Sequence, residues 1–154
     1  MVHLAARASV AASAHAAYDN VQVNLGGSMR LAEAVRRRAP GAAFVFASTG
    51  EVYGATFLDG PAKETDPMQP RSPYARSKAA CELALTDMLA DAHPLMLLRL
   101  FNHTGPGQDE RFVVPTFAAQ IARAERGAGP PEILVGNRSA ERDFLDVRDV
   151  IDAY

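Results

Sequence analysis

Residues 44–54 read F-V-F-A-S-T-G-E-V-Y-G, an apolar run that ends in a cluster of polar residues. The apolar part, rich in Phe and Val, predicts a buried strand over residues 42–47. In open parallel sheets, ligands bind beyond the carboxyl ends of the strands. Ser48 and Thr49 lie at that end with hydroxyls that can polarise a carbonyl, and Glu51 adds a carboxylate. The same pattern also fits an ordinary polar strand exit followed by a turn.

Outward from this stretch, apolar strands alternate with amphipathic helices. Apolar residues at three- and four-residue steps indicate a first long helix. Ser72 and Pro73 mark the start of a second, because serine caps helices and proline suits their first position. This order predicts an α/β fold in which helices flank a parallel sheet. The predicted strands are 1–6, 42–47, 95–101 and 133–135, the helices 18–38, 73–91, 114–126 and 147–154, the long loop 50–71 and the turn 104–108.

The second long helix begins with a tyrosine and a lysine four residues apart, Tyr74 and Lys78. This spacing puts both side chains on one face of the helix. A neighbouring ammonium stabilises a phenolate, so Lys78 is expected to lower the pKa of Tyr74 and make it a proton donor and acceptor. A tyrosine and a lysine on a solvated helix face would give the same spacing.

Composition limits the class of protein. The chain has 154 residues, 48% of them apolar, and 16 basic against 18 acidic residues for a net charge of −2. That balance argues against a nucleic-acid or acidic-membrane partner. No apolar run approaches the roughly 20 residues of a membrane span. Cys81 is the single cysteine, which excludes a disulfide framework or a cysteine-based metal cluster and fits a reducing cytoplasm.

Several motifs carry a resemblance to a known family. H-L-A-A (3–6), S-T-G-E-V-Y-G (48–54) and S-P-Y-A-R-S-K (72–78) resemble the extended short-chain dehydrogenases/reductases, which act on nucleotide sugars. R-L-F-N-H-T-G-P-G-Q (99–108), F-V-V-P-T-F-A-A-Q-I (112–121) and V-G-N-R-S-A-E-R-D-F-L-D-V-R-D-V (135–150) are similar to the GDP-mannose branch of that family. That branch contains 4,6-dehydratases and 4-keto-6-deoxymannose reductases.

The resemblance implies one of three functions. The G-P-G-Q turn at 105–108 is similar to the reductases. It implies NAD(P)H-dependent reduction of the C4 keto group of GDP-4-keto-6-deoxymannose to GDP-rhamnose. A GDP-mannose 4,6-dehydratase would use the same residues together with Glu51 as the base, and Glu51 is compatible with both enzymes. The third alternative, from another class, is a non-catalytic remnant that binds nucleotide sugars.

The resemblance also implies roles for individual residues. Thr49 or Ser48 would polarise the substrate carbonyl, Tyr74 would protonate it, and Lys78 would tune Tyr74 and bind the nicotinamide ribose of NAD or NADP. Asn24 would support the lysine through a water molecule, and Ala5 and Ala6 would line the cofactor. Asn102 and Arg142 would contact the substrate diphosphate, and Val113 and Asn137 would lie near the nucleotide base.

Three of these residues also have an ordinary structural role as an alternative. Asn24 can be a buried polar residue, and Asn137 a turn residue. Arg142 can form a surface ion pair with Glu141 or Asp143. The family's usual serine after H-L-A-A is replaced by Ala8, and Ser9 follows it.

The resemblance further predicts how the chain is organised. Residues 1–102 would be the second half of a Rossmann-like dinucleotide-binding domain, and 103–154 part of a small nucleotide-sugar-binding region. The glycine-rich turn that holds the dinucleotide phosphates in this family has no counterpart in the sequence. The chain is therefore expected to be a fragment of an enzyme that uses NAD or NADP. A homodimer is also expected, in which the two long helices pair with those of a partner in a four-helix bundle.

Overall fold

The computed structural model describes residues 1–8 and 16–154. The chain divides into two compact units, Met1–Phe101 with Tyr154, and Asn102–Ala153. Within the described part of the chain, no helix is long and apolar enough to cross a membrane.

A parallel sheet of three strands forms the centre of the first unit. Its strands are β1 (Val2–His3), β2 (Phe44–Ala47) and β3 (Leu95–Leu98), in the order β1-β2-β3. Val2 pairs with Val45, and Phe46 with Leu97, so the three strands run in one direction. The predicted parallel α/β arrangement is confirmed. The first strand is shorter and more exposed than predicted, since β1 lies at the sheet edge and only His3 in it is buried.

Two long helical segments complete the first unit. The first consists of α1 (Ala17–Asn20), a π-helical segment (Val21–Gly26) and α2 (Gly27–Arg38), which confirms the predicted helix but adds a wide turn inside it. The second is α3 (Pro73–Leu89). The Ser72 hydroxyl accepts a hydrogen bond from the backbone N–H of Ala75 at 3.1 Å, as expected for an N-cap. Apolar side chains from both helices and the sheet form the core: Ala32, Val35, Phe44, Phe46, Cys81, Leu85 and Leu89.

The segment between β2 and α3 contains two short 3-10 helices, Gly50–Val52 and Gly54–Asp59. The rest of the predicted loop lacks regular structure. Thr49 precedes the first of these turns in an extended conformation, so the chain leaves β2 and bends at once. This bend holds the polar strand exit directly beyond the sheet.

The second unit contains two parallel strands and two helices. They are β4 (Asn102–Thr104), α4 (Val113–Glu125), β5 (Phe144–Asp146) and α5 (Val147–Asp152). The predicted helices are confirmed within a few residues. The Asp146 carboxylate caps α5 by accepting from the N–H of Arg148 at 2.8 Å. A Cβ on Gly105 would lie 2.3 Å from the Val147 side chain, so the turn after β4 requires glycine.

The predicted strand at 133–135 is wrong. Instead, the Gln120 side chain bonds both backbone groups of Leu134: it accepts from the N–H at 2.7 Å and donates to the carbonyl at 3.3 Å. Leu134 is 78% exposed, so no sheet face covers it. The strand of this region is β5, ten residues later, which pairs with β4. Residues 102–104, assigned to a strand exit and turn from the sequence, form β4.

Candidate active site

The strand exit after β2 lies beside the first turns of α3, where the Thr49 hydroxyl is close enough to the Tyr74 phenol to affect its pKa. The Thr49 hydroxyl accepts from the N–H of Glu51 at 3.2 Å, which uses one of its lone pairs. The Thr49 hydroxyl keeps a proton to donate, and its proximity acts to lower the pKa of Tyr74. The structure therefore brings Thr49 and Tyr74 together.

The pKa of Tyr74 is raised above its ordinary value, not lowered. Burial is the main cause, and the negative charge of Glu51 adds to it, while the Thr49 hydroxyl opposes both. The expectation that Lys78 lowers this pKa is wrong for the structure described. At neutral pH Tyr74 is therefore a phenol with a proton to give.

Lys78 is almost completely buried, with 3% of its surface exposed. Its ammonium donates a hydrogen bond to the carbonyl of Ala47, the last residue of β2. It also lies 4.3 Å from the centre of the Phe46 ring, within the range of a cation–π contact. Burial lowers the pKa of Lys78, and nearby Cys81 and Glu82 act in the opposite direction. These contacts direct the ammonium to the strand, which explains why it does not govern Tyr74.

Ser48 and Thr49 differ in what their hydroxyls do. The Ser48 hydroxyl donates its only proton to the carboxylate of Glu82 inside the protein. Of the two candidates for polarising a carbonyl, Thr49 is thus the better placed. Glu51 is exposed, and its carboxylate lies close enough to Tyr74 to influence the phenol.

Asn24 lies in the π-helical segment and joins three parts of the first unit. Its side-chain oxygen accepts from the N–H of Arg7 at 2.8 Å, and its amide donates to the Arg7 carbonyl at 3.3 Å. The amide also donates to the hydroxyl of Ser77 at 2.9 Å. Ser77 in turn donates to the backbone carbonyl of Tyr74 at 2.7 Å. Asn24 therefore links the chain after β1 to the helix that bears Tyr74 and Lys78.

The remaining predicted residues lie at the end of β1 and in the second unit. Ala5 is exposed and Ala6 half-buried, both directly after β1, while Ser9 lies outside the described residues. In the second unit, four predicted residues are exposed: Asn102, Val113, Asn137 and Arg142.

Two of these four have local contacts. The Arg142 guanidinium donates to the backbone carbonyl of Glu141 at 2.6 Å. The Asn137 side chain accepts from the N–H of Ser139 at 3.0 Å, which is typical of a turn residue.

The sequence motifs did not identify Glu82 and Arg99, which form an ion pair at 2.8 Å beside Ser48. A signal was available, because Glu82 lies four residues after Lys78 and so shares its helix face. Arg99 is supplied by the chain after β3, and its partner could not be recognised without the fold.

The parallel sheet and the helix bearing Tyr74 and Lys78 define an extended short-chain dehydrogenase/reductase. The family model described as GDP-mannose 4,6 dehydratase matches residues 1–154. The chain belongs to this family.

Individual relatives include a reductase and a dehydratase. GDP-6-deoxy-D-mannose reductase of Pseudomonas aeruginosa is 37% identical over 100% of this chain and 51% of the relative. GDP-mannose 4,6 dehydratase 1 of Arabidopsis thaliana is 34% identical over 98% of this chain and 42% of its own length. The structure of RMD from Pseudomonas aeruginosa complexed with NADPH aligns with a TM-score of 0.89 and 37% identity, covering 99% of this chain and 52% of that one. The chain thus spans about half the length of the relatives it matches.

Proposed function

We propose that this chain forms the catalytic part of an NAD(P)H-dependent reductase that converts GDP-4-keto-6-deoxymannose to GDP-rhamnose. The observation that carries the proposal is the placement of Thr49, at the carboxyl end of β2, beside Tyr74 at the start of α3, with Lys78 one turn along that helix. The similarity to GDP-6-deoxy-D-mannose reductase supports this substrate class. The buried free thiol of Cys81 fits a cytoplasmic protein.

The residues present fit the nicotinamide half of a dinucleotide, either NAD or NADP. Ala5 and Ala6 have small side chains directly beyond β1, which let a cofactor approach the strand end. Lys78, on the helix face it shares with Tyr74, would hold the nicotinamide ribose. When bound, the cofactor supplies the hydride that is added at the sugar C4.

The protein's own contribution is to polarise and protonate the substrate oxygen. Thr49 would donate a hydrogen bond to the C4 carbonyl oxygen, which withdraws charge from the carbon. Tyr74 would pass its phenol proton to that oxygen as negative charge develops on it. Its raised pKa keeps the proton in place at neutral pH until that moment. Lys78 would stabilise the resulting phenolate only after its ammonium leaves the Ala47 carbonyl and turns to the phenol.

Residues of the second unit would bind the nucleotide. Arg142 has a guanidinium that can form two parallel hydrogen bonds with phosphate oxygens, and Asn102 can add an amide donor. Val113 and Asn137 would lie near the base. Apart from its bond to a backbone carbonyl, Arg142 is exposed and so available to a ligand.

We further propose a homodimer in which α1–α2 and α3 pair with the same helices of a second copy. Tyr18 on the first segment is 74% exposed and Leu83 on α3 is 65% exposed, so both helices present apolar surface. Analytical ultracentrifugation of the chain should give a dimer that Leu83→Glu converts to monomer. A monomer in the unchanged protein would refute this part of the proposal.

The decisive experiment combines binding with product analysis. The chain is titrated with NADH and with NADPH, then incubated with GDP-4-keto-6-deoxymannose and the reduced cofactor, or with GDP-mannose and the oxidised cofactor, and the products are identified. Reduction of the keto sugar, abolished in Tyr74→Phe, is the expected result. Failure to bind either dinucleotide would favour a non-catalytic nucleotide-sugar-binding protein.

The exposed carboxylate of Glu51 beside Tyr74 favours a second candidate, a GDP-mannose 4,6-dehydratase. In that reaction Glu51 would remove the proton that leaves with water. Conversion of GDP-mannose to its 4-keto-6-deoxy form, with loss in Glu51→Gln, would replace the reductase by the dehydratase. A reductase should keep most of its activity in Glu51→Gln.

A further inference from the structure

Glu82 is a buried carboxylate that the proposed reaction does not use. Only 2% of its surface is exposed, and it lies in the middle of α3. The Ser48 hydroxyl donates to its Oε1. The guanidinium of Arg99 donates to its Oε2 from Nε at 3.0 Å and from Nη2 at 2.8 Å. A carboxylate so fully bonded is fixed in both position and orientation.

Arg99 connects Glu82 to the segment that follows the strand exit. Its Nη1 donates to the hydroxyl of Tyr53 at 2.9 Å and to the carbonyl of Glu64 at 3.1 Å. The guanidinium also lies 4.9 Å from the centre of the Tyr53 ring. The Glu82 carboxylate raises the pKa of Arg99, so this side chain remains a cation. The ion pair therefore ties α3 to both sides of the Thr49–Glu51 turn.

Lys78 lies one helical turn before Glu82, on the same face of α3. The groups around its ammonium come from three elements: His3 from β1, the Phe46 ring and the Ala47 carbonyl from β2, and Cys81 and Glu82 from α3.

Of the titratable groups around Lys78, two are uncharged at neutral pH. Burial raises the pKa of the Cys81 thiol, and burial together with Lys78 lowers the pKa of His3. Glu82 is then the group that supplies negative charge to the buried ammonium, and the Arg99 cation bound to it offsets part of that charge.

We propose that Glu82, held by Ser48 and Arg99, is the positioning residue that keeps Lys78 charged inside the protein. A buried lysine without such a partner tends to lose its proton. A neutral Lys78 would have no charge to offer Tyr74 even if its ammonium left the Ala47 carbonyl during the reaction. The proposal rests on the proposed function in one respect: the reductase reaction is what would make the charge of Lys78 important. The charge state of Lys78 can be measured without turnover.

The chain is well suited to this measurement because Lys63 and Lys78 are its only lysines. In a chain labelled with carbon-13 at the lysine side chains, two Cε signals are followed by NMR from neutral pH to beyond the ordinary lysine pKa of about 10.4. Lys63 is exposed and serves as the internal reference. Glu82→Gln removes the charge but keeps an amide oxygen that can accept from Ser48.

We expect Glu82→Gln to move the Lys78 midpoint to lower pH while the Lys63 midpoint stays in place. Glu33→Gln is the matched control, since Glu33 is a surface carboxylate paired with Arg37 on α2, and it should move neither signal. Glu82→Asp, which keeps the charge, should leave the Lys78 midpoint closer to that of the unchanged protein than Glu82→Gln does. An unchanged or raised Lys78 midpoint in folded Glu82→Gln would overturn the proposal.

A second variant tests the same coupling if Glu82→Gln does not fold. In Arg99→Met the carboxylate loses its counterion, so the Lys78 midpoint should rise; a fall or no change would overturn the proposal.

A reducing activity, where present, adds a kinetic readout. The basic limb of the kcat profile should shift to lower pH in Glu82→Gln together with the Lys78 midpoint. A chain that shows the NMR shift but reduces no keto sugar would refute the reductase and leave the role of Glu82 standing. An active reductase in which Glu82→Gln leaves the Lys78 signal unchanged would support the proposed function and overturn the role of Glu82.

Discussion

Gly54 closes the strand-exit turn, and replacing it with alanine should strongly destabilise the first unit. Its φ of +50° lies in the left-handed region, and an added Cβ would come within 2.0 Å of the Gln69 carbonyl oxygen. That oxygen also accepts from the N–H of Ala55 at 3.0 Å. We expect a cost of about 1 kcal/mol for the conformation, and about 2 kcal/mol more for the displaced backbone and its hydrogen bond.

Gly41 provides a matched control because it isolates the conformational part of this cost. Its φ is +77°, in the same region, but a Cβ there would meet nothing within 4 Å. Both glycines belong to the first unit. Gly41→Ala should therefore cost about 1 kcal/mol, against about 3 kcal/mol for Gly54→Ala.

The assay is urea denaturation followed by far-UV circular dichroism, with the free energy of unfolding obtained by linear extrapolation. Equal losses in the two variants would refute the reasoning, because the contact with Gln69 would then contribute nothing. A folded Gly54→Ala should also bind nicotinamide dinucleotide or sugar nucleotide more weakly, since Glu51 and Tyr53 lie immediately before the displaced turn.

Three further changes test other parts of the structure. Thr49→Ala should lower kcat by about 10²–10³-fold through loss of a hydroxyl donor, and Ser48→Ala should lower it less, because the Ser48 proton is already bonded to a protein carboxylate; equal losses would contradict the assignment. Ser72→Ala should cost about 1 kcal/mol in urea denaturation by removing the N-cap of α3, whereas an unchanged midpoint would show that the cap is unimportant. Burial, aided by the nearby Lys78, lowers the pKa of His3. The neutral His3 therefore contributes its full stability above the unfolded pKa of about 6.5, and this contribution is lost as the pH falls towards the folded pKa. In His3→Gln this part of the acid destabilisation should disappear, and a pH dependence identical to that of the unchanged protein would show that His3 does not cause it.

Local sequence signals were sufficient for most of the fold. The helix α3 was predicted from its own first residues, since Ser72 and Pro73 act within one turn. The strand at 133–135 was predicted wrongly from an equally local signal, its apolar residues. Whether such a run forms a strand depends on which neighbour bonds its backbone, and here that neighbour is the Gln120 side chain, 14 residues away.

The same distinction separates the predicted from the unpredicted parts of the candidate site. Thr49, Tyr74 and Lys78 were recognised because their spacing follows from one strand exit and one helix. The ion pair of Glu82 and Arg99 joins residues 17 positions apart on different elements, and Ser48 reaches Glu82 across 34. No local pattern specifies these pairings, because only the packing of α3 against the sheet brings them together.

The pKa of Tyr74 illustrates how tertiary structure can reverse an inference from spacing. A lysine four residues along a helix lowers the pKa of a tyrosine only if its ammonium points towards the phenol. Here the ammonium bonds to the Ala47 carbonyl, so burial prevails and the pKa rises. A raised pKa favours a site that gives a proton first and receives one later, which is the order that carbonyl reduction requires. The cost moves to the moment when Tyr74 becomes a phenolate, and Lys78 can lower that cost only if its ammonium leaves the Ala47 carbonyl and turns to the phenol.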